Sequence, residues 1–177
     1  MAFFSFGEYI DDIPYKVLDE RKMRASAGIM FLLGIVAFIN AFILQQYIVV
    51  TWVSGILMVN FMIGIFINPK FAPTVLLGSL FTYKQTPLPI GAIQKKFAWS
   101  LGLTMAAAIF VLSFYLLNNV SYFDPVCSLC LLCLVLLFLE TAMGICVGCK
   151  LYFASLWLRI LPKPKVRPNC QGDACKV

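Results

Sequence analysis

Cysteine occupies seven of 177 positions, and none stands alone: Cys127, Cys130 and Cys133 share "DPVCSLCLLC", Cys146 and Cys149 share "GICVGCKLY", and Cys170 and Cys175 share "NCQGDACKV". Two thiols three residues apart can exchange with a disulfide, pass two electrons to an acceptor, or supply half of a four-sulfur zinc or iron–sulfur ligand set. They can also do no chemistry, because cysteine packs as a small hydrophobe and is among the most buried residue types. The chain has no histidine, which excludes imidazole-ligated zinc, histidine-ligated haem and a His general base.

Position distinguishes the groups. Asp124 and Pro125 read as the N-cap and first residue of a helix, which places Cys127 in its first turn. Unpaired N–H groups and the helix dipole favour a thiolate there, so Cys127 and Cys130 are one candidate redox pair, with Cys133 a turn deeper as a resolving thiol or as packing. Cys146 and Cys149 are the second candidate pair. On one continuous helix they lie roughly 20 Å beyond Cys133, at ~1.5 Å per residue. Cys170 and Cys175 could join Cys146 and Cys149 in a four-sulfur zinc or iron–sulfur site, a secondary reading because nothing fixes the tail against the helix end. Glu140 is the remaining candidate, as the only formal charge inside an apolar run. Such a group marks either a proton path or an interhelical clasp, for which Asn40 and Asn60 are candidate partners.

The elements that hold these residues follow from composition. At 62% hydrophobic and 12% charged, the chain is too apolar for a soluble domain of its length. It reads as all-α, a four-transmembrane-helix bundle with spans at about 25–44, 47–67, 97–117 and 126–149, each near the ~20 residues a bilayer requires. A 24-residue segment precedes this membrane domain of residues 25–161, and a basic, proline-rich tail over 162–177 follows it. The first apolar run comes after a charged segment and lacks a small-residue cleavage site, so a signal peptide is not expected. Between spans two and three, "TVLLGSLFTYK" has the length of a short interfacial or re-entrant segment. All fourteen Lys and Arg residues fall on one side of the four spans, which makes both termini cytoplasmic in a bacterial inner membrane. The net charge of +6 is thus a topology signal, and no basic stripe with interleaved aromatics suggests nucleic acid as a partner.

Four stretches carry a resemblance: "VLDERKMRASAG", "NPKFAP", "QTPLPIGAIQKKFAWSLG" and "GICVGCKLY". Between about residues 17 and 153 the chain resembles a family of small bacterial multi-pass membrane proteins known only as a domain of unknown function. The family's Cys-x-Gly-Cys-x-x-Tyr motif maps onto Cys146, Gly148, Cys149 and Tyr152, with Val147 in place of Leu and Lys150 in place of an acidic residue. The resemblance implies a fold and a cysteine site and no activity. In architecture alone, the chain is also similar to quinone-linked disulfide-forming enzymes of the vitamin K epoxide reductase type, which carry a Cys-x-x-Cys at the outer start of their last helix. Their second cysteine pair, in an outer loop, has no counterpart here. The functional expectation is thiol–disulfide or sulfur-linked redox chemistry through Cys127, Cys130, Cys146, Cys149 and Glu140. Electrons would pass to a thioredoxin-like partner or a quinone. The alternatives are a non-catalytic subunit or scaffold among other membrane subunits, with structural cysteines, and a small transporter that uses Glu140.

Overall fold

In a bilayer each backbone N–H and C=O has to be satisfied within its own segment, so the long apolar runs can only be helices. The computed structural model describes residues 6–9 and 14–159, and among these the only sheet is a two-stranded ribbon. Strand β1 (Val17–Asp19) leads into α1 (Glu20–Phe42). A tight turn with Gln45 at φ 53° reverses the chain into α2 (Tyr47–Met62), which continues as a π-helical stretch over Ile63–Ile67. A 3-10 turn (Pro69–Phe71), helix α3 (Pro73–Phe81) and strand β2 (Pro89–Gly91) fill the connection to α4 (Ala92–Asn118). A second 3-10 turn (Val120–Tyr122) opens α5 (Phe123–Ala142), and α6 (Val147–Trp157) follows. Glu20–Phe42, Tyr47–Ile67, Ala92–Asn118 and Val120–Ala142 are long and apolar enough to cross a membrane. They form a ring: α1 touches α2 and α5, and α4 touches the same two.

Local chemistry sets where the elements begin. Asp19 accepts the Arg21 N–H at 3.1 Å and caps α1, and Pro73, whose missing N–H costs nothing at a helix start, opens α3. Val17, Leu18 and Asp19 pair antiparallel with Gly91, Ile90 and Pro89, which ties the start of α1 to the start of α4. The α3 segment, expected as interfacial or re-entrant, is a helix lying along α1. Asn60 of α2 accepts both the N–H and the hydroxyl of Thr74 at 3.0 Å, and Thr74 shares a 2.7 Å hydrogen bond with Ser26. The other side of α3 leaves Leu76, Leu77, Leu80 and Phe81 exposed.

The core has two parts. At the end of the bundle that carries the basic residues, Phe6, Leu18, Met23, Val75, Ile90 and Trp99 cluster. Trp99 stands edge-on to Phe61 at 5.4 Å and covers Gly64, where any side chain would overlap its ring. At the opposite end Ala41, Val50, Ile109, Leu116 and Val126 close the bundle.

Two of the boundaries that differ from those read in the sequence bear on the site. The fourth span ends at Ala142 and not near residue 149, because Gly144 takes φ +67° and turns the chain. The carbonyls left open there are satisfied from α1: Arg24 donates to the Thr141 carbonyl at 2.8 Å and to the Ala142 carbonyl at 3.0 Å. The third span begins at Ala92 rather than near 97, and this draws Lys95 out of the loop and into the helix. Gly34 lets α1 and α5 approach closely, since a Cβ there would lie 2.9 Å from the Leu134 Cδ2.

Candidate functional site

The basic end of the bundle brings together residues from α4, α5 and α6. Lys95 lies in the first turn of α4, and its ammonium pairs with the Glu140 carboxylate near the end of α5. The two side chains are 1% and 16% exposed. Withdrawing either charge from water costs several kcal/mol, which the partner offsets, so each residue explains the burial of the other. Glu140 therefore lies near a span end and not in mid-span. Asn40 bonds the Val36 carbonyl of its own helix and Asn60 serves Thr74, so neither is the partner the sequence suggested for Glu140.

Beyond Gly144 the chain folds back, and α6 lies along α4. The contact is close because Gly148 has no side chain: a Cβ there would come within 2.6 Å of the Ala98 Cβ. One turn later Tyr152 packs on Phe97, with ring centroids 5.8 Å apart. Cys146 is the N-cap of α6, with extended backbone (φ −85°, ψ 101°), and Cys149 is its third residue. Both are buried. The arrangement expected for Cys127, a Cys-x-x-Cys at a helix start, is thus realised by Cys146 and Cys149. Their electrostatics divide the labour: the Cys149 thiol donates to Cys146, and the buried Lys95 ammonium adds its field. Together they pull Cys146 down to about 7 against the opposing effect of burial. The same hydrogen bond, with burial, pushes Cys149 far up. With these opposite shifts, the arrangement suits Cys146 to attack a disulfide and Cys149 to resolve the product.

The first cysteine group is placed differently. Helix α5 opens at Phe123 after Tyr122, so Asp124 is its second residue and not its cap, and Cys127 falls beyond the first turn. Cys127 is half-buried, while Cys130 and Cys133 pack against the apolar cluster at the end away from the basic residues. Cys130, Cys133, Glu140 and Cys146 all line one cavity of about 440 Å³ between the four spans, with walls otherwise almost wholly apolar. Cys170 and Cys175 lie outside the described residues. Among the described residues no three metal-ligating side chains converge, and Cys146 with Cys149 offers two sulfurs toward any metal.

Sequence reasoning missed Lys95 and Arg24. Both belong to basic stretches next to an apolar run, where a lysine or arginine ordinarily marks the membrane flank. The available signal was that a lone carboxylate inside an apolar run demands a cation.

The family model described as a domain of unknown function (DUF4395) matches residues 18–156. No curated protein and no solved structure matches the chain.

Proposed function

The chain belongs to the DUF4395 family, whose description assigns no activity, and from its site we propose a membrane thiol–disulfide exchange protein with Cys146 and Cys149 as the reacting pair. The observation that carries this reading is the placement of the Cys146–Cys149 pair at the start of α6, with Cys146 the N-cap, beside the buried Lys95–Glu140 pair. In the exchange, the Cys146 thiolate attacks one sulfur of a partner's disulfide, and the other partner sulfur leaves and takes a proton. Cys149 then gives up its proton, attacks Cys146 and expels the partner's remaining thiol. One disulfide is reduced and the Cys146–Cys149 disulfide forms; the reverse sequence oxidises a partner dithiol. A thioredoxin-like protein is the partner whose chemistry fits. The distribution of Lys and Arg supports a bacterial inner membrane with both termini, and hence this pair, on the cytoplasmic side.

The packing of Cys130 and Cys133 against the apolar cluster favours a structural role for that group. The ion pair made by Glu140 favours a clasp over a transport path.

Reaction of the reduced, purified chain with 5,5′-dithiobis(2-nitrobenzoate) tests the reading. The native protein should release two nitrobenzoate thiolates per reagent as the Cys146–Cys149 disulfide closes. Cys149→Ser should release one and retain the adduct on Cys146, and Cys146→Ser should form no adduct at this site. Persistence of the adduct in the native protein, or reaction confined to Cys127, would sink the proposal.

A further inference from the structure

We propose that the cavity between the four spans binds a lipid quinone, which accepts the two electrons of the Cys146–Cys149 dithiol; this rests on the thiol-exchange reading above. The cavity holds about 440 Å³, inside the ~300–1,000 Å³ of ordinary small-molecule sites, enough for a substituted ring and the first part of its tail. Helices α1, α2, α4 and α5 all contribute walls, through residues such as Met30, Leu57, Met105 and Leu137. Because those helices are spans, the bilayer supplies the occupant.

The chemistry at one end of the cavity narrows what that occupant is. Cys146 and Glu140 both border it, and Glu140 is tied to Lys95. An acyl chain would fill the apolar part equally well but has no use for a nucleophilic sulfur or a carboxylate. A molecule that dissolves in the bilayer, takes two electrons from a dithiol and has oxygens to place near polar groups is a quinone. On the walls, Thr104 of α4 and Leu132 of α5 are both lining and exposed, so the cavity has an edge open to lipid. In the step, two S–H bonds are lost and one S–S bond forms. The two electrons pass to the ring, and the two protons end on the quinone oxygens, giving the quinol. Coupled to the exchange above, a soluble dithiol would be oxidised at the basic end and the electrons delivered into the membrane pool.

The probe is a decyl-substituted benzoquinone, added without oxygen to the reduced full-length chain in detergent. Quinone absorbance and closure of Cys146–Cys149, read by alkylation and mass, are followed together. The expected result is one quinol per Cys146–Cys149 disulfide. Thr104→Trp and Leu132→Trp, which put bulk at the open edge and leave the buried core alone, should each slow quinone reduction about tenfold or more while exchange with dithiobis(nitrobenzoate) proceeds at the native rate. A chain that exchanges with that reagent and does not reduce the quinone, or reduces it equally fast in both Trp variants, overturns the quinone site and leaves the exchange reading standing. A chain that reacts with neither reagent overturns both.

Discussion

Gly148 sets how near α6 comes to α4, and with it where both thiols sit. An alanine there would place its Cβ 2.6 Å from the Ala98 Cβ and 2.8 Å from the Ala98 Cα, so α6 would have to move away. Gly148→Ala should cost about 1–3 kcal/mol, the usual penalty for overpacking, and slow Cys146 alkylation at neutral pH. Ala98→Gly in the same chain removes the Cβ clash but leaves the Cα at 2.8 Å, so it should recover the alkylation rate only in part, read by iodoacetamide labelling; no recovery at all would mean that something other than the Cβ contact holds the site. A second outcome concerns pH. With the Cys146 thiol at about 7, its alkylation should rise steeply across that value and level off above it, because only the thiolate reacts. Cys149, held far up by its hydrogen bond to Cys146 and by burial, should lag at every pH. Equal rates at the two sulfurs would contradict this division.

At the scale of elements, the Lys95–Glu140 pair staples α4 to α5. Removing one partner leaves an unpaired buried charge, so Lys95→Met or Glu140→Leu should each lose about 3–5 kcal/mol, whereas the double variant should recover most of it. The measurement is a denaturation cycle over the four proteins, and simple additivity would argue against direct coupling. In the folded double variant the Cys146 midpoint should move up from about 7, since the favourable field of Lys95 outweighs the opposing one of Glu140. The four spans were legible in the sequence because a run of apolar residues has one stable solution in lipid. The end of α5 was not, because "ETAMGICVGCK" offers only glycines, Gly144 and Gly148, as breaks, and glycine is ordinary inside a membrane helix. The single positive φ at Gly144 separates a cysteine pair inside a long span from one at the start of α6. Lys95 and Glu140 are 45 residues apart, so no local pattern could join them. The β1–β2 ribbon escaped for the same reason, its strands being three residues each and far apart in the chain.

Over the whole molecule, apolar clusters close the bundle at both ends and leave a cavity between the spans. Among the described residues, the β1–β2 ribbon, α3 and α6, which lie outside the spans, gather at the basic end, which holds Cys146, Cys149 and the ion pair. Among the described residues, the opposite end has the turn at Gln45 and the short Val120–Tyr122 helix. With the proposed orientation, Lys84→Cys should be labelled by a membrane-impermeant maleimide only after cells are permeabilised, and Ser121→Cys should be labelled in intact cells. The reverse pattern would invert the topology and put Cys146 and Cys149 on the side of the oxidising compartment.

The staple between α4 and α5 also bears on how the protein is made. Lys95 leaves the ribosome 45 residues before Glu140, a delay of about 2–9 s at ~5–20 residues per second. Through that interval a cation belongs to a helix whose buried position it cannot yet occupy, and a lysine in that predicament stretches its side chain toward the headgroups. The pair that buries it therefore cannot form until the fourth span arrives with the carboxylate. Packing of α5 on α4, and then of α6 on α4, waits for the last span, so the burial of Cys146 and Cys149 comes at the end of assembly.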